Sequence, residues 1–166
     1  MTLVALRRCP ACGGVLQGIA GVAWMTCGDC PTAWDLFAEP HARLATHRPA
    51  GEAGPASARL PFFLFRDVGG GNAVWLPATR ATGPGSSVAT TLTERGHAPD
   101  LVSEPLGAAV ARGPAEALAL FAALRPGVPP GPPLLVSLAL RRTGDVLTEP
   151  VTGLSLPAAR FLPRPA

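Results

Sequence analysis

Apolar positions in this chain come in short runs cut by proline and glycine. Leu60-Pro61-Phe62-Phe63-Leu64-Phe65 has the aromatic, unbroken pattern of a strand, and Ala73-Val74-Trp75-Leu76 returns after Gly69-Gly70-Gly71-Asn72, so a hairpin is predicted. Leu134 to Leu140 is a second strand run, with a turn at Arg141 to Asp145, a return at Val146 to Thr148 and a further short strand at Leu154 to Leu156. Pro114 to Leu124 reads as the best helix: it is rich in alanine and leucine, starts on proline and stops at Pro126-Gly127. Its predicted apolar stripe is Leu118, Leu120, Phe121 and Leu124. A shorter helix is expected from a Ser103 N-cap to Arg112, and Ala81 to Ala98 reads as loop. Near the N-terminus, Leu3 to Leu6 is a strand candidate. Val15 to Thr26 supplies two hairpin strands turning near Gly18 or Gly21, and Trp34, Leu36 and Phe37 form a last strand.

These elements divide the chain in three: 1–38, a linker at 39–58 with at most a helical turn from His41 to His47, and 59–166. The fold class expected is α+β, the second domain holding two hairpins and one or two helices. Trp75-Leu76-Pro77-Ala78-Thr79-Arg80 echoes Ser155-Leu156-Pro157-Ala158-Ala159-Arg160, which raises an internal repeat without deciding it. The triple glycine at 69–71 is a turn rather than a phosphate cradle, because a strand and not a helix follows it and the chain has no lysine.

Composition narrows the class further. Of 166 residues, 48% are hydrophobic, enough for a buried core, while 20 prolines and 19 glycines keep the elements short. Arginine supplies all 14 basic residues, and the wealth of alanine, proline and glycine reads as the codon bias of a GC-rich, bacterial genome. The formal charge of +3 is spread among acids, with no cluster to follow a phosphate backbone. No apolar run reaches the roughly 18 residues of a membrane span. Met1 to Leu6 is too short for a secretion signal, so a cytoplasmic chain with reduced thiols is expected.

The chemistry concentrates in four cysteines, Cys9-Pro10-Ala11-Cys12 and Cys27-Gly28-Asp29-Cys30, the only ones present. Two residues between cysteines let a short turn aim both sulfurs at one ion, and a hairpin brings the second turn opposite the first. Gly13 and Gly14, and Gly28 within the second pair, are expected where these turns need positive φ. Two disulfides are the alternative pairing of four cysteines, disfavoured in a reducing compartment. Cys9, Cys12, Cys27 and Cys30 are therefore the expected metal ligands. Four thiolates leave no open position, so the role expected of the metal is structural, and four thiolates around one Zn²⁺ carry a net charge of −2.

Arg8-Cys9-Pro10-Ala11-Cys12-Gly13-Gly14-Val15-Leu16, with Cys27-Gly28-Asp29-Cys30 and Trp34-Asp35-Leu36-Phe37, resembles a zinc ribbon, the rubredoxin-like treble-hairpin module. The resemblance covers residues 3–38 and implies one structural zinc on the four cysteines. Pro31 follows Cys30 where the usual pattern has glycine, which places iron and rubredoxin-like electron transfer behind zinc.

No catalytic constellation is visible. The serines lack a Gly-x-Ser-x-Gly setting, His41, His47 and His97 lack a paired acid, and Asp67, Asp145 and Glu149 sit near strand ends where turns also place acids. The three histidines are expected to be solvated or in loops. The function expected is that of a protein–protein interaction module or accessory subunit, not an enzyme, with no small-molecule substrate and no membrane. Nucleic-acid binding in transcription is the alternative.

Overall fold

The computed structural model describes residues 8–52, 54–66, 72–79 and 84–160. The expected strand at Leu3 to Leu6, the glycine turn at 69–71 and Asp67 lie outside these residues. The N-terminal strands are β1 (Leu16–Gln17), β2 (Trp24–Cys27), β3 (Thr32–Asp35) and β4 (Ala42–Pro49). Then come β5 (Ala58–Arg66), β6 (Ala73–Pro77), α1 (Pro84–Glu94), β7 (Leu101–Ser103) and α2 (Pro114–Leu124). The chain closes with β8 (Leu134–Thr143), β9 (Val146–Thr148), β10 (Ser155–Pro157) and a 3-10 turn at Ala158–Arg160. Strands and helices share one structure, as an α+β class requires, and the strands form a 10-stranded sheet.

The backbone order is β1-β2-β3-β4-β8-β5-β6, with β7 added to β4 and the β9–β10 meander added to β8. All pairings are antiparallel except β4 with β8, where Thr46 faces Leu135 and His47 faces Val136. The centre is β5. Alternate residues of β5 enter two different cores: Leu60, Phe62 and Leu64 pack with Trp75, Val88, Leu92 and Leu138. Phe63 and Phe65 pack on the opposite face with Leu106, Val110, Ala117 and Phe121. A strand covered on both faces needs apolar residues at every position, which is why this stretch reads as an unbroken run. Pro61 is tolerated in a central strand because its carbonyl faces Ala78, 3.0 Å from that amide nitrogen, just past the end of β6. The donor it lacks would have pointed to the same side, where there is no strand to receive it.

Three stretches differ from the sequence reading. The first part of the expected linker is β4, which pairs with β3 from Ala42 to Ala45, then with β8 on one edge and β7 on the other. No helical turn forms at 41–47, because neighbouring backbones supply the hydrogen bonds. The stretch read as loop contains α1. Its Val88, Ala89 and Leu92 are buried against β6, and burial outweighs the poor propensity of its threonines. Finally, 103–112 is not helical. Leu101–Ser103 is β7, and Gly107 has φ +67°, which a helix cannot hold. The two echoing segments bury the same pattern, Leu76 with Ala78 and Leu156 with Ala158. Their settings differ, since β6 pairs with its hairpin partner β5 and β10 with the intervening β9.

Candidate metal centre

The four cysteines converge. Their sulfurs all lie within 4.8 Å of one another. Cys9 Sγ is 3.6 Å from Cys30 Sγ, and Cys12 Sγ is 3.5 Å from Cys27 Sγ. A disulfide bond is about 2.05 Å long, so these are free thiols. The edge of a tetrahedron with metal–sulfur bonds of about 2.3 Å is about 3.8 Å. The sulfur spacing therefore fits four thiolates around one ion.

Local sequence builds this geometry. The Cys9 amide donates to the Gly14 carbonyl (2.7 Å) and the Gly13 amide to the Cys9 carbonyl (2.8 Å), closing the first turn. Gly13 holds φ +75°, as expected. Gly14 is needed for a different reason: a Cβ there would collide with the Oδ2 of Asp29 and lie 3.0 Å from its Cβ and Cγ. Gly28 needs no positive φ, and a Cβ there would make only ordinary contacts at 3.7 Å. The Gly14 amide points at Cys12 Sγ (3.4 Å) and the Asp29 amide at Cys27 Sγ (3.3 Å). Backbone amides thus aim partial positive charge at these two sulfurs. Replacing Gly14 by alanine is expected to force Asp29 aside at a cost of about 1–2 kcal/mol. Metal affinity should fall by about tenfold per 1.4 kcal/mol, measured by competition with a chromogenic chelator. Adding Asp29→Ala should restore most of it.

The site is asymmetric. Cys9 and Cys27 are buried, Cys30 is half-buried and Cys12 is exposed. Trp34 and Leu36 pack over the cluster from the strand side, as expected, whereas Phe37 points outward at 63% exposure. Without metal the thiols differ. Burial pushes the Cys9 thiol up, but the Thr32 hydroxyl and the amides of Ala11 and Cys12 more than offset it, setting it at about 6. Burial, followed by the neighbouring sulfurs, pushes Cys30 up to about 12. Metal binding would displace the protons that remain on the thiols.

Comparison with protein-family models, curated proteins and solved structures finds no significant match. The site is therefore read from its own geometry. Four cysteines that could hold a metal ion are compatible with zinc.

The cluster is tied to the rest of the chain. The Thr26 hydroxyl, next to Cys27, donates to the Ala108 carbonyl (2.8 Å), and the Thr46 amide donates to the Pro31 carbonyl (3.0 Å). Trp24 reaches α2: a Cβ on Gly113 would lie 2.7 Å from its indole nitrogen. Ala33 is fully buried in the core of Phe63 and Phe121.

The remaining titratable residues do not assemble with the cysteines. His41 is exposed and lies 3.1 Å from the Ala38 carbonyl through Nδ1. His47 is not solvated as expected, and His97 lies in the loop after α1, as expected. Both are half-buried, and His47 Nδ1 and His97 Nε2 are buried without a hydrogen-bond partner among the described residues. His97 stacks on Trp75 with centroids 6.1 Å apart. Burial lowers its pKa, and the nearby Glu149 partly opposes that shift. Glu149 is a turn-former: its buried carboxylate accepts from the amides of Val151 (2.8 Å) and Thr152 (2.5 Å) and from the Thr152 hydroxyl (2.6 Å). Asp145 is fully exposed beside Arg142.

Proposed function

We propose that this protein is an interaction module whose N-terminal metal site, carrying one structural zinc, holds a docking surface for another protein. The observation that carries the reading is a hollow beside the β1–β2 turn. It has a volume of about 430 Å³ and is lined by Ile19, Val22, Ala23, Met25 and Phe37 together with small residues of the turn. No lining residue carries a charge or a hydroxyl. Such a surface takes an apolar side chain and offers nothing to phosphate or to a proton-transfer reaction. Four thiolates as the whole ligand set leave the metal no position for substrate.

Charge defines the partner's chemistry. The loaded centre would carry −2, and Asp29, Asp35 and Glu39 lie on the same module. Its described arginines, Arg8, which donates to the Gly13 carbonyl (3.2 Å), and Arg43, which lies over the Trp34 ring at 5.8 Å, offset only part of that charge. The partner that fits is a protein segment with an apolar anchor among basic residues. The arginines elsewhere support the same choice over nucleic acid. Arg48 pairs with Glu104, Arg59 with Glu52 and Arg112 with Glu116, so these do not form a free basic stripe. Among the described residues no helix is long and apolar enough to cross a membrane.

The test is affinity capture of the tagged protein from its native cells under nuclease, with metal analysis of the product. One equivalent of zinc is expected, with a stoichiometric protein partner. That partner should be lost at high salt and lost in Ile19→Asp, whose site is exposed and whose zinc content should be unchanged. Capture indifferent to Ile19→Asp, or only nucleic acid that disappears on digestion, would refute the docking surface. Visible absorbance from bound iron would replace structural zinc with an electron-transfer centre.

A further inference from the structure

Cys30 differs from the other cysteines in what points at its sulfur. Cys12 and Cys27 receive the amides of Gly14 and Asp29, two residues further on. At Cys30 the next residue is Pro31, which has no N–H. The amide two residues on, that of Thr32, is spent on the Cys30 carbonyl at 2.8 Å. The Thr32 side chain occupies the vacated role. Its Oγ1 lies 3.0 Å from Cys30 Sγ and 3.5 Å from Cys9 Sγ. The residue is 2% exposed, so water does not compete for the hydroxyl.

The direction of this hydrogen bond is set from the other side. The Trp34 indole N–H donates to Thr32 Oγ1 at 3.1 Å. An oxygen that accepts from Trp34 turns its own proton elsewhere, and a thiolate at Cys30 can only accept. Alternation along β3 places both side chains on the face that meets the sulfurs.

We propose that Thr32, oriented by Trp34, is the positioning residue of the metal centre, supplying through its hydroxyl the hydrogen bond to Cys30 that its own amide, turned to the Cys30 carbonyl, does not give. The relay rests on the reading of the four cysteines as metal ligands and is independent of what docks on the module. Groups that hold metal ligands in place typically change metal affinity by about 10–100-fold when removed.

Thr32→Val keeps the shape and removes the hydroxyl, whereas Thr32→Ser keeps the hydroxyl. Affinity for Zn²⁺ is read by competition with a chromogenic chelator, and Co²⁺ alone reports the thiolates through its sulfur-to-metal charge-transfer band. Thr32→Val is expected to weaken Zn²⁺ binding about 10–100-fold and to shift the cobalt band, with Thr32→Ser returning both close to the parent. Unchanged affinity and band in Thr32→Val overturn the proposal, as does a Thr32→Ser as weak as Thr32→Val, since packing alone would then explain the loss. Should Thr32→Val fail to fold, Trp34→Phe serves instead. It leaves the hydroxyl but removes its orienting donor, and a smaller loss in the same direction is expected. No loss there rules out the relay. Failure to bind either metal in the parent chain would refute the metal site itself, a distinct outcome.

Discussion

Removing the metal is expected to unfold β1, β2 and β3 while the β5–β8 pairing survives. Structural zinc sites contribute apparent binding free energies of about 10–16 kcal/mol, and the hairpin around this one is otherwise held by the β3–β4 pairing and a few contacts to the rest of the chain. Its own buried core is Cys9, Leu16 and Cys27, two of which are proposed ligands. Beyond β3 the support changes. The core of Leu60, Phe62, Trp75 and Leu138 contains no described residue before 58. The opposite core does: Ala33 lies within it, and Trp24 and Leu44 pack on it. Chelation should therefore cost the remaining sheet some stability by uncovering the face of Phe63 and Phe121, without dissolving it. Hydrogen exchange reads this directly. After chelator, amides of 16–35 should exchange at once, whereas those of 58–66 and 134–143 should stay protected. Simultaneous loss of all segments would mean that the metal staples the whole sheet. Tryptophan fluorescence gives a second view, since Trp24 and Trp34 would enter water while Trp75, 2% exposed, would not. The freed edge of β4 at 42–45 would also invite aggregation, a measurable side effect.

What the sequence revealed, and what it hid, follows from where each signal is stored. The convergence of Cys9, Cys12, Cys27 and Cys30 was legible because C-x-x-C encodes its geometry locally, in two turns. The runs at 60–65, 73–76 and 134–140 were legible because burial on both faces leaves Ser137 as their one polar side chain. α1 was not, because Ser86, Ser87, Thr90, Thr91 and Thr93 are weak helix formers whose side chains compete for the backbone. Thr90 and Thr91 do donate back to the carbonyls of Ser86 and Ser87, both at 2.9 Å. The helix persists because Val88, Ala89 and Leu92 bury against the sheet. One local signal was available: Gly96, at φ +61°, ends α1 with bonds from its amide to the Thr93 carbonyl and from His97 to Leu92. That is the glycine stop a helix of this kind uses. β4 had no such marker. Ala-Arg-Leu-Ala-Thr-His-Arg-Pro becomes a strand because β3, β7 and β8 present backbone to it, information spread over a hundred residues. The Thr32 relay was equally hidden, because the Thr32 amide turns to the Cys30 carbonyl rather than to its sulfur, a choice that residue order does not display.

Replacing Phe121 by alanine should cost about 3–5 kcal/mol, a large part of the 5–15 kcal/mol that a folded chain possesses. The expectation comes from how α2 is attached. Ala117 and Phe121 are its buried residues, and Phe121 is 1% exposed. Its ring meets Phe65 at 4.9 Å between centroids, in the layer that also holds Leu106 and Val110. Deleting the ring removes its transfer free energy and leaves a cavity that a rigid sheet on one side cannot close. The apolar stripe read from the sequence gave Leu118, Leu120 and Leu124 the same standing as Phe121. An alanine- and leucine-rich helix is apolar all round, so its periodicity does not say which side is inside. In the fold Leu124 is 61% exposed at the C-terminal end. The pair of substitutions separates the two views. Phe121→Ala should lower Tm by roughly 6–20 °C, at about 2–4 °C per kcal/mol for a chain of this size. Leu124→Ala should stay within about 0.5 kcal/mol of the parent. Equal losses in both would mean that α2 docks by its whole stripe. A selective loss in Phe121→Ala means that one aromatic side chain fixes the helix against the face the metal module also covers. Metal removal and Phe121→Ala should then combine non-additively, because Trp24, Ala33 and Phe121 share one core.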